Sequence, residues 1–401
     1  MKWLFIILLS LAGYFIIFSS PIISILVVIL FAAHLLFTFR PITRFSFTRK
    51  YGIAVSRINK IIATNSTLSL SVFAIVLALS FSEVVLRLSH VCANYTEANN
   101  LKGYTSPYEC KYDNWFHVRK CTNYFVTKNC TKRISEKEFT RTFSINSLGL
   151  VGKEWTQKSD SVSRLICMGD SFTEGVGAST DSSYCDVLQS LVSGTEVLNA
   201  GVAGSDPFFC DILLREKLLA YKPNLLTITI NESDITDVII RGGSERFLAN
   251  GKVQFKKAPW WEFFYGSSRI VRLIARNIFH LDQLFLTPKE YAAEETIAIQ
   301  KLIEFTDSFQ KYCNQQHIRL VFVFHPLAYE IENGQMKCAP ILNHCIKQGY
   351  ETVNVLSYFA QHGVNAGNTS NYFWPIDKHN KNNGYRLFAS AIAAHLNNKQ
   401  P

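Results

Sequence analysis

The run Arg164-Leu165-Ile166-Cys167-Met168-Gly169-Asp170-Ser171-Phe172-Thr173-Glu174-Gly175 sets the reading of the whole chain. A short apolar segment enters a glycine, an acid and a serine, and a second glycine comes soon after. This reads as a buried strand, a sharp turn and a helix start. Such a turn presents a serine hydroxyl at the edge of a sheet. The helix start adds free N–H groups and a positive dipole end beside it. Ser171 and Glu174 also have the S-x-x-E spacing of a helix capping box, which needs no catalysis.

Outward from this run the same rhythm returns. Residues 181–193 have helical spacing, Val197-Leu198-Asn199-Ala200 reads as a strand, and 208–220 as a helix. Leu225–Ile230 (LLTITI) and Leu320–Phe324 (LVFVF) have the composition of buried strands. A long amphipathic helix begins after Thr287-Pro288, with Ile299, Leu302, Ile303 and Phe309 on one side. Residues 383–397 have helical spacing behind Gly384. Alternating strands and helices imply an α/β fold with a mainly parallel sheet covered on both faces. Sites in such sheets form beyond the carboxyl ends of the strands. The residues just past each strand end therefore carry the functional reading.

After the second strand comes Asn199-Ala200-Gly201-Val202-Ala203-Gly204. Glycine lets a backbone N–H approach a ligand closely, although an ordinary turn has the same composition. After LLTITI comes Asn231-Glu232-Ser233-Asp234. A side-chain amide there could donate to a developing oxyanion or cap the next helix. Near the C-terminus, Trp374-Pro375-Ile376-Asp377-Lys378-His379-Asn380 puts an acid two residues before a histidine. A neutral histidine can take a serine proton while a carboxylate fixes its tautomer. His325, before a proline at the end of LVFVF, is a competing base.

The four blocks, in this order and each after a strand, resemble the SGNH/GDSL hydrolase superfamily over roughly 143–395. FSINSLGLVGKEW (143–155) adds to the resemblance, and EVVLRL (83–88) looks like membrane-tethered members. The resemblance implies a flavodoxin-like three-layer α/β/α fold. It implies Ser171 as nucleophile, His379 as base and Asp377 as its partner. The oxyanion hole would be the Ser171 and Gly201 backbone N–H groups with Asn231 or Ser233. Two departures stand out. The family pattern Gly-x-Asn-Asp puts Ser233 where an asparagine belongs, with Asn231 displaced. The acid and base are spaced D-x-H, where many members have D-x-x-H. No metal or other cofactor is implied.

The implied chemistry is acyl transfer through an acyl-enzyme, that is, a serine esterase. The absence of a large apolar lid favours acetyl esters on cell-envelope carbohydrate over lipid esters. Two alternatives stay open: an O-acetyltransferase working with a membrane-protein partner, and a non-catalytic binding protein that keeps the fold.

Upstream lies a different kind of sequence. Trp3 to Phe39 contains no Asp, Glu, Lys or Arg. As one helix it would reach roughly 55 Å, against about 30 Å of hydrocarbon. Ser19-Ser20-Pro21 is the natural break. We read spans at about 3–19 and 21–39, and a third, weaker one at about 64–86. A cleaved signal peptide is the rival for the first span, but no cleavage site leading into polar sequence is present. Arg40–Lys60 holds six basic residues and no acid, which places it in the cytoplasm and everything after about 90 outside an inner or plasma membrane. The expected division is thus 1–90 membrane region, 91–160 cysteine-bearing connector and 161–401 hydrolase-like domain.

The net charge of +10 belongs mostly to this first part, where eight basic side chains face the single acid Glu83. The remainder is near neutral, which argues against a nucleic-acid partner. The spans carry no cluster of charges, which argues against a channel or transporter. Expected partners are the lipid bilayer and an ester substrate. All ten cysteines lie at Cys92 or later, and such usage suggests disulfides, with Cys338 and Cys345 close enough to close a small loop. Buried free thiols are the alternative, especially for Cys167. Trp260-Trp261-Glu262-Phe263-Phe264-Tyr265 reads as core packing or a helix on the sheet, with sugar stacking or membrane docking as alternatives.

Overall fold

Every residue of Leu225–Ile230 is buried, which demands cover on both faces of that strand. The computed structural model, which describes residues 66–89, 91, 130–156, 162–179, 181–248, 259–281 and 285–398, shows the source of that cover. In chain order the elements are α1 (Ser66–Leu88), β1 (Cys130–Ser135), β2 (Thr140–Ile145), β3 (Ser163–Gly169), α2 (Ser171–Glu174), α3 (Tyr184–Leu191), β4 (Thr195–Gly201), α4 (Pro207–Glu216), β5 (Leu225–Ile230) and α5 (Glu232–Arg241). Next come α6 (Glu262–Ser267), α7 (Arg269–Asn277), α8 (Pro288–Gln315), β6 (Arg319–Phe324), α9 (Ala328–Asn333), α10 (Ala339–Lys347), β7 (Glu351–Asn354), α11 (Val355–Gln361) and α12 (Asn382–Asn397).

Five strands form one parallel sheet in the order β4-β3-β5-β6-β7. The chain runs from β3 outward to β4, then crosses back to β5 on the other side. The order therefore reverses between β3 and β5, and such a reversal opens a crevice at the carboxyl ends of the strands. Asp170-Ser171 leaves β3 at that crevice, and Asn231 leaves β5 there.

The strand period of two sorts the core into layers. Leu165, Cys167, Val321, Val323 and Val353 share one cluster with Tyr184 and Leu188 of α3 and Phe388 and Ile392 of α12. The alternate residues Ile166, Met168, Leu226, Ile228, Leu320 and Phe322 are equally buried and face the opposite way. On that side α4 lies against β3 and β5, and its Phe208 meets Phe305 of α8 edge-on at 5.2 Å. The result is helix, sheet and helix in three layers.

Several expectations change here. The first two membrane spans lie outside the described residues. The third coincides with α1, yet among the described residues no helix is long and apolar enough to cross a membrane. Within the 91–160 connector, Cys130–Ser135 and Thr140–Ile145 pair antiparallel as a hairpin, which the sequence reading did not include. Residues 259–281 and 285–289 group with α1 in one compact unit, while the hairpin, the sheet and its helices form the other. A single 161–401 domain is therefore interrupted by an insertion.

Among the described residues, six cysteines depart from a disulfide framework. Cys167, Cys185, Cys210, Cys313, Cys338 and Cys345 are all free and buried. Cys338 caps α10 and Cys345 lies seven residues along it. Two turns of helix separate them by roughly 10 Å, beyond the span of a disulfide.

Candidate active site

Gly169 ends β3 with φ +151, a conformation reserved for glycine. Asp170 then caps α2, its Oδ1 accepting from the Phe172 N–H at 2.9 Å. This puts Ser171 in the first turn of the helix, where backbone N–H groups lack intrahelical partners. The cap expected from Ser171 and Glu174 is absent. Glu174 is instead buried, bound by Arg141 Nη1 at 2.9 Å and by the Ala203 N–H at 2.7 Å.

The histidine and its carboxylate come from the 374–380 loop. His379 Nε2 lies 2.7 Å from Ser171 Oγ, and His379 Nδ1 lies 2.6 Å from Asp377 Oδ1. With the ring proton on Nδ1, the serine hydroxyl donates to Nε2 and the ring donates to Asp377. The D-x-H spacing works because Lys378 sits at φ +74. This left-handed residue folds the loop back on itself, so that Asp377 Oδ1 also accepts from the His379 N–H at 3.3 Å. Burial raises the Asp377 carboxyl, but the His379 hydrogen bonds and charge outweigh it and hold the group below the usual carboxylate range.

The loop is tied down from outside. Glu138, in the β1–β2 turn, accepts from the Ile376 N–H at 2.8 Å and the Asp377 N–H at 2.7 Å. Neither Glu138 nor Arg141 carries a sequence signal. Each acts across more than thirty residues of chain, and only the hairpin's position gives it a role.

The expected oxyanion donors fare differently. The Gly201 N–H is committed to Asn199 Oδ1 at 2.9 Å. Gly201 is required for another reason: an added Cβ would lie 2.1 Å from the Glu174 nitrogen. Its missing side chain lets β4 and α2 touch. Along the next loop, the Val202 N–H goes to the Gly169 carbonyl, Ala203 to Glu174 and Ser205 to the Val202 carbonyl. The Gly204 N–H has no acceptor among the described residues, and Gly204 is exposed at φ +74. The second glycine of NAGVAG is thus the available backbone donor, and the sequence reading chose the first.

The third block turns inward. Asn231 caps α5, its Oδ1 accepting from the Ser233 N–H at 2.8 Å while Asp234 answers the Asn231 N–H at 2.8 Å. Its amide nitrogen donates to Asp170 Oδ2 at 3.0 Å. The Ser233 hydroxyl lies 3.1 Å from the same oxygen and 2.6 Å from Asn231 Oδ1. The Ser233 hydroxyl is therefore taken up beside Asp170, and one of the two Asn231 amide hydrogens goes to Asp170. Burial raises the Asp170 carboxyl above the usual range, although Asn231, the Phe172 N–H, the His379 charge and Ser233 all pull it down.

His325 does not reach Ser171. It is fully buried at the end of β6, in ring contact with Phe172 and Phe388 at 4.7 and 4.5 Å. Its Nε2 accepts from the Asn380 amide at 2.9 Å. Burial pushes its pKa down to about 3, helped by the charge of His379. Among the described residues no cluster of three or more metal-ligating side chains exists.

No known protein-family profile matches the chain, and no curated protein matches it. Among solved structures, it is similar to a member of the lipolytic protein G-D-S-L family from Veillonella parvula DSM 2008, with 11% identity over 60% of this chain and 100% of that one, at a TM-score of 0.36. It is similar to an acetyl xylan esterase from Geobacillus stearothermophilus, with 12% identity over 59% of this chain and 95% of that one, also at 0.36. A two-domain esterase active on acetylated mannans gives 12% identity and a TM-score of 0.35 over 60% of this chain. The match spans only 50% of that longer protein. Likeness at this level fixes no function, and the chemistry rests on the geometry of the site itself.

Proposed function

We propose that the chain is a serine esterase of the SGNH type, cleaving acyl esters through a covalent acyl-enzyme. The observation that carries this reading is the unbroken relay Asp377–His379–Ser171, with contacts of 2.6 and 2.7 Å, at the reversal of the sheet. Ser171 Oγ attacks the ester carbonyl as His379 Nε2 takes its proton. Asp377 stabilises the imidazolium and fixes the tautomer. The oxyanion is held by the Ser171 and Gly204 N–H groups, and His379 then gives its proton to the leaving alcohol. Water attacks the acyl-enzyme by the same route and releases the acid.

The finer reading is a membrane-anchored enzyme. It is supported by the uncharged run 3–39 and by the basic segment Arg40–Lys60. Acetyl esters on envelope carbohydrate are the substrate class we favour, since the strand-end loops that hold the site carry no apolar lid among the described residues.

Fluorophosphonate labelling of the full chain in membranes or detergent tests the proposal. Labelling should be lost in Ser171→Ala and in His379→Ala. Parent protein that is folded yet unlabelled would remove the case for an activated serine.

A further inference from the structure

The smaller compact unit is built against the usual polarity of a protein surface. Ten of the sixteen large apolar side chains exposed among the described residues belong to it. On α1, Phe81 is 69% and Leu88 75% exposed. On the insertion, Trp260 is 85%, Ile278 66% and Phe279 61% exposed. Patches of this kind mark an interaction surface.

The helix α7 is inverted. Arg272 is buried, donating to the Tyr265 and Gly266 carbonyls at 2.8 Å each, and Ala275 is buried beside it. Ile274 and Ile278 point outward. A helix that turns Arg272 in and Ile274 out is suited to an apolar surrounding.

The insertion is also fastened to α1. Glu83, fully buried, accepts from the Ser268 hydroxyl at 2.9 Å, the Arg269 N–H at 2.9 Å and the Ile270 N–H at 3.1 Å. Arg87 donates to the Ser267 carbonyl at 2.7 Å, and Arg269 to the Leu86 carbonyl at 2.7 Å. The one carboxylate of α1 thus caps α7 and, with Arg87, pins the insertion to the last turns of α1.

We infer that residues 259–281 are a membrane-surface collar, latched by Glu83 to α1, with Trp260, Ile278 and Phe279 seated at the boundary of headgroups and acyl chains of an anionic bilayer. Three features identify the occupant. α1 follows the apolar N-terminal run and the basic segment Arg40–Lys60 in sequence. An exposed tryptophan is suited to the interface. Residues 259–281 carry the half-buried Arg269 and Arg276 against the single acid Glu262, which complements anionic phosphates. The inference rests on the membrane-anchored reading, and the test separates the two.

The full chain is reconstituted in phosphatidylcholine–phosphatidylglycerol vesicles whose acyl chains are brominated near the headgroup. The difference in emission between the parent and Trp260→Phe isolates Trp260. It should be quenched, and Ile278→Ser with Phe279→Ser together should lower that quenching about twofold or more. Carbonate resistance, which reports the anchor alone, should not change. A carbonate-resistant chain whose Trp260 is quenched by aqueous iodide instead overturns the collar. So does a Trp260 shielded from both quenchers, which would mean that another segment of the chain covers it. Release by carbonate would refute the anchor. The collar then stands if the released chain floats with anionic vesicles and loses flotation in the double variant, and falls if it does not float.

Discussion

Two histidines lie close to Phe172 and have opposite surroundings. His379 is partly exposed on a loop, with a carboxylate on one ring nitrogen and a hydroxyl on the other. His325 is fully buried at a strand end, and its one polar partner among the described residues is the neutral amide of Asn380. Its Nδ1 and Asn380 Oδ1 have no hydrogen-bond partner among the described residues. Residue type made both candidates for the base. What separates them is whether the protonated ring would have a counter-charge. Asp377 supplies one to His379, whereas burial denies one to His325 and forces it to remain neutral.

That contrast can be attacked directly. Removing Ser171 or His379 should have the largest effect, lowering kcat by about 10⁵–10⁶. If His379→Ala kept substantial turnover of a soluble acetyl ester while His325→Gln abolished it, the assignment would be reversed. Asp377→Asn should lower kcat by about 10⁴, because the ring loses both its tautomer lock and its counter-charge. Steady-state kinetics should place this loss in kcat with KM little changed.

Glu138→Gln should give a smaller loss, about tenfold in kcat. One neutral amide oxygen would then have to receive the two backbone N–H groups that the carboxylate now holds. A loss in KM alone would mean that Glu138 contacts substrate rather than holding the loop.

The smallest effect on activity belongs to His325→Gln, expected within about fivefold of the parent, since the glutamine carbonyl can still accept from Asn380. Its signature is in stability. The unfolded chain protonates this histidine near its ordinary pKa of about 6.5, while the folded chain resists to about 3. The unfolded state therefore binds the extra proton across that window. Parent stability should fall as pH drops from about 6.5 toward 3, by at most ~1.4 kcal/mol per unit. Melting temperature against pH should show a shallower slope in His325→Gln. An unchanged slope would mean that His325 is not the buried neutral group described.

The glycines of NAGVAG carry the same lesson in backbone form. Gly201→Ala drives a methyl into the Glu174 nitrogen and should destabilise the fold. Gly204→Ala meets open space and only left-handed strain, about 1–2 kcal/mol. From sequence the two are equivalent. Only the positions of α2 and Glu174 show that one glycine is there for packing and the other leaves its N–H available.

The sequence by itself determined the alternation of strands and helices, the turn that presents Ser171, and the acid–histidine pair. Each is a local matter of apolar period, glycine placement and neighbouring residues. It did not reveal β7, whose one buried residue, Val353, stands among three half-exposed ones and makes no apolar run. It did not reveal the hairpin that supplies Glu138 and Arg141, or the insertion that leaves the sheet unit between residues 257 and 290. Tertiary structure alone decided which N–H groups are already satisfied, which histidine has a carboxylate, and that Asn231 and Ser233 serve Asp170. Hydrogen bonds are short and exclusive, so an assignment between residues sixty or two hundred positions apart exists only once the sheet has brought them within about 3 Å.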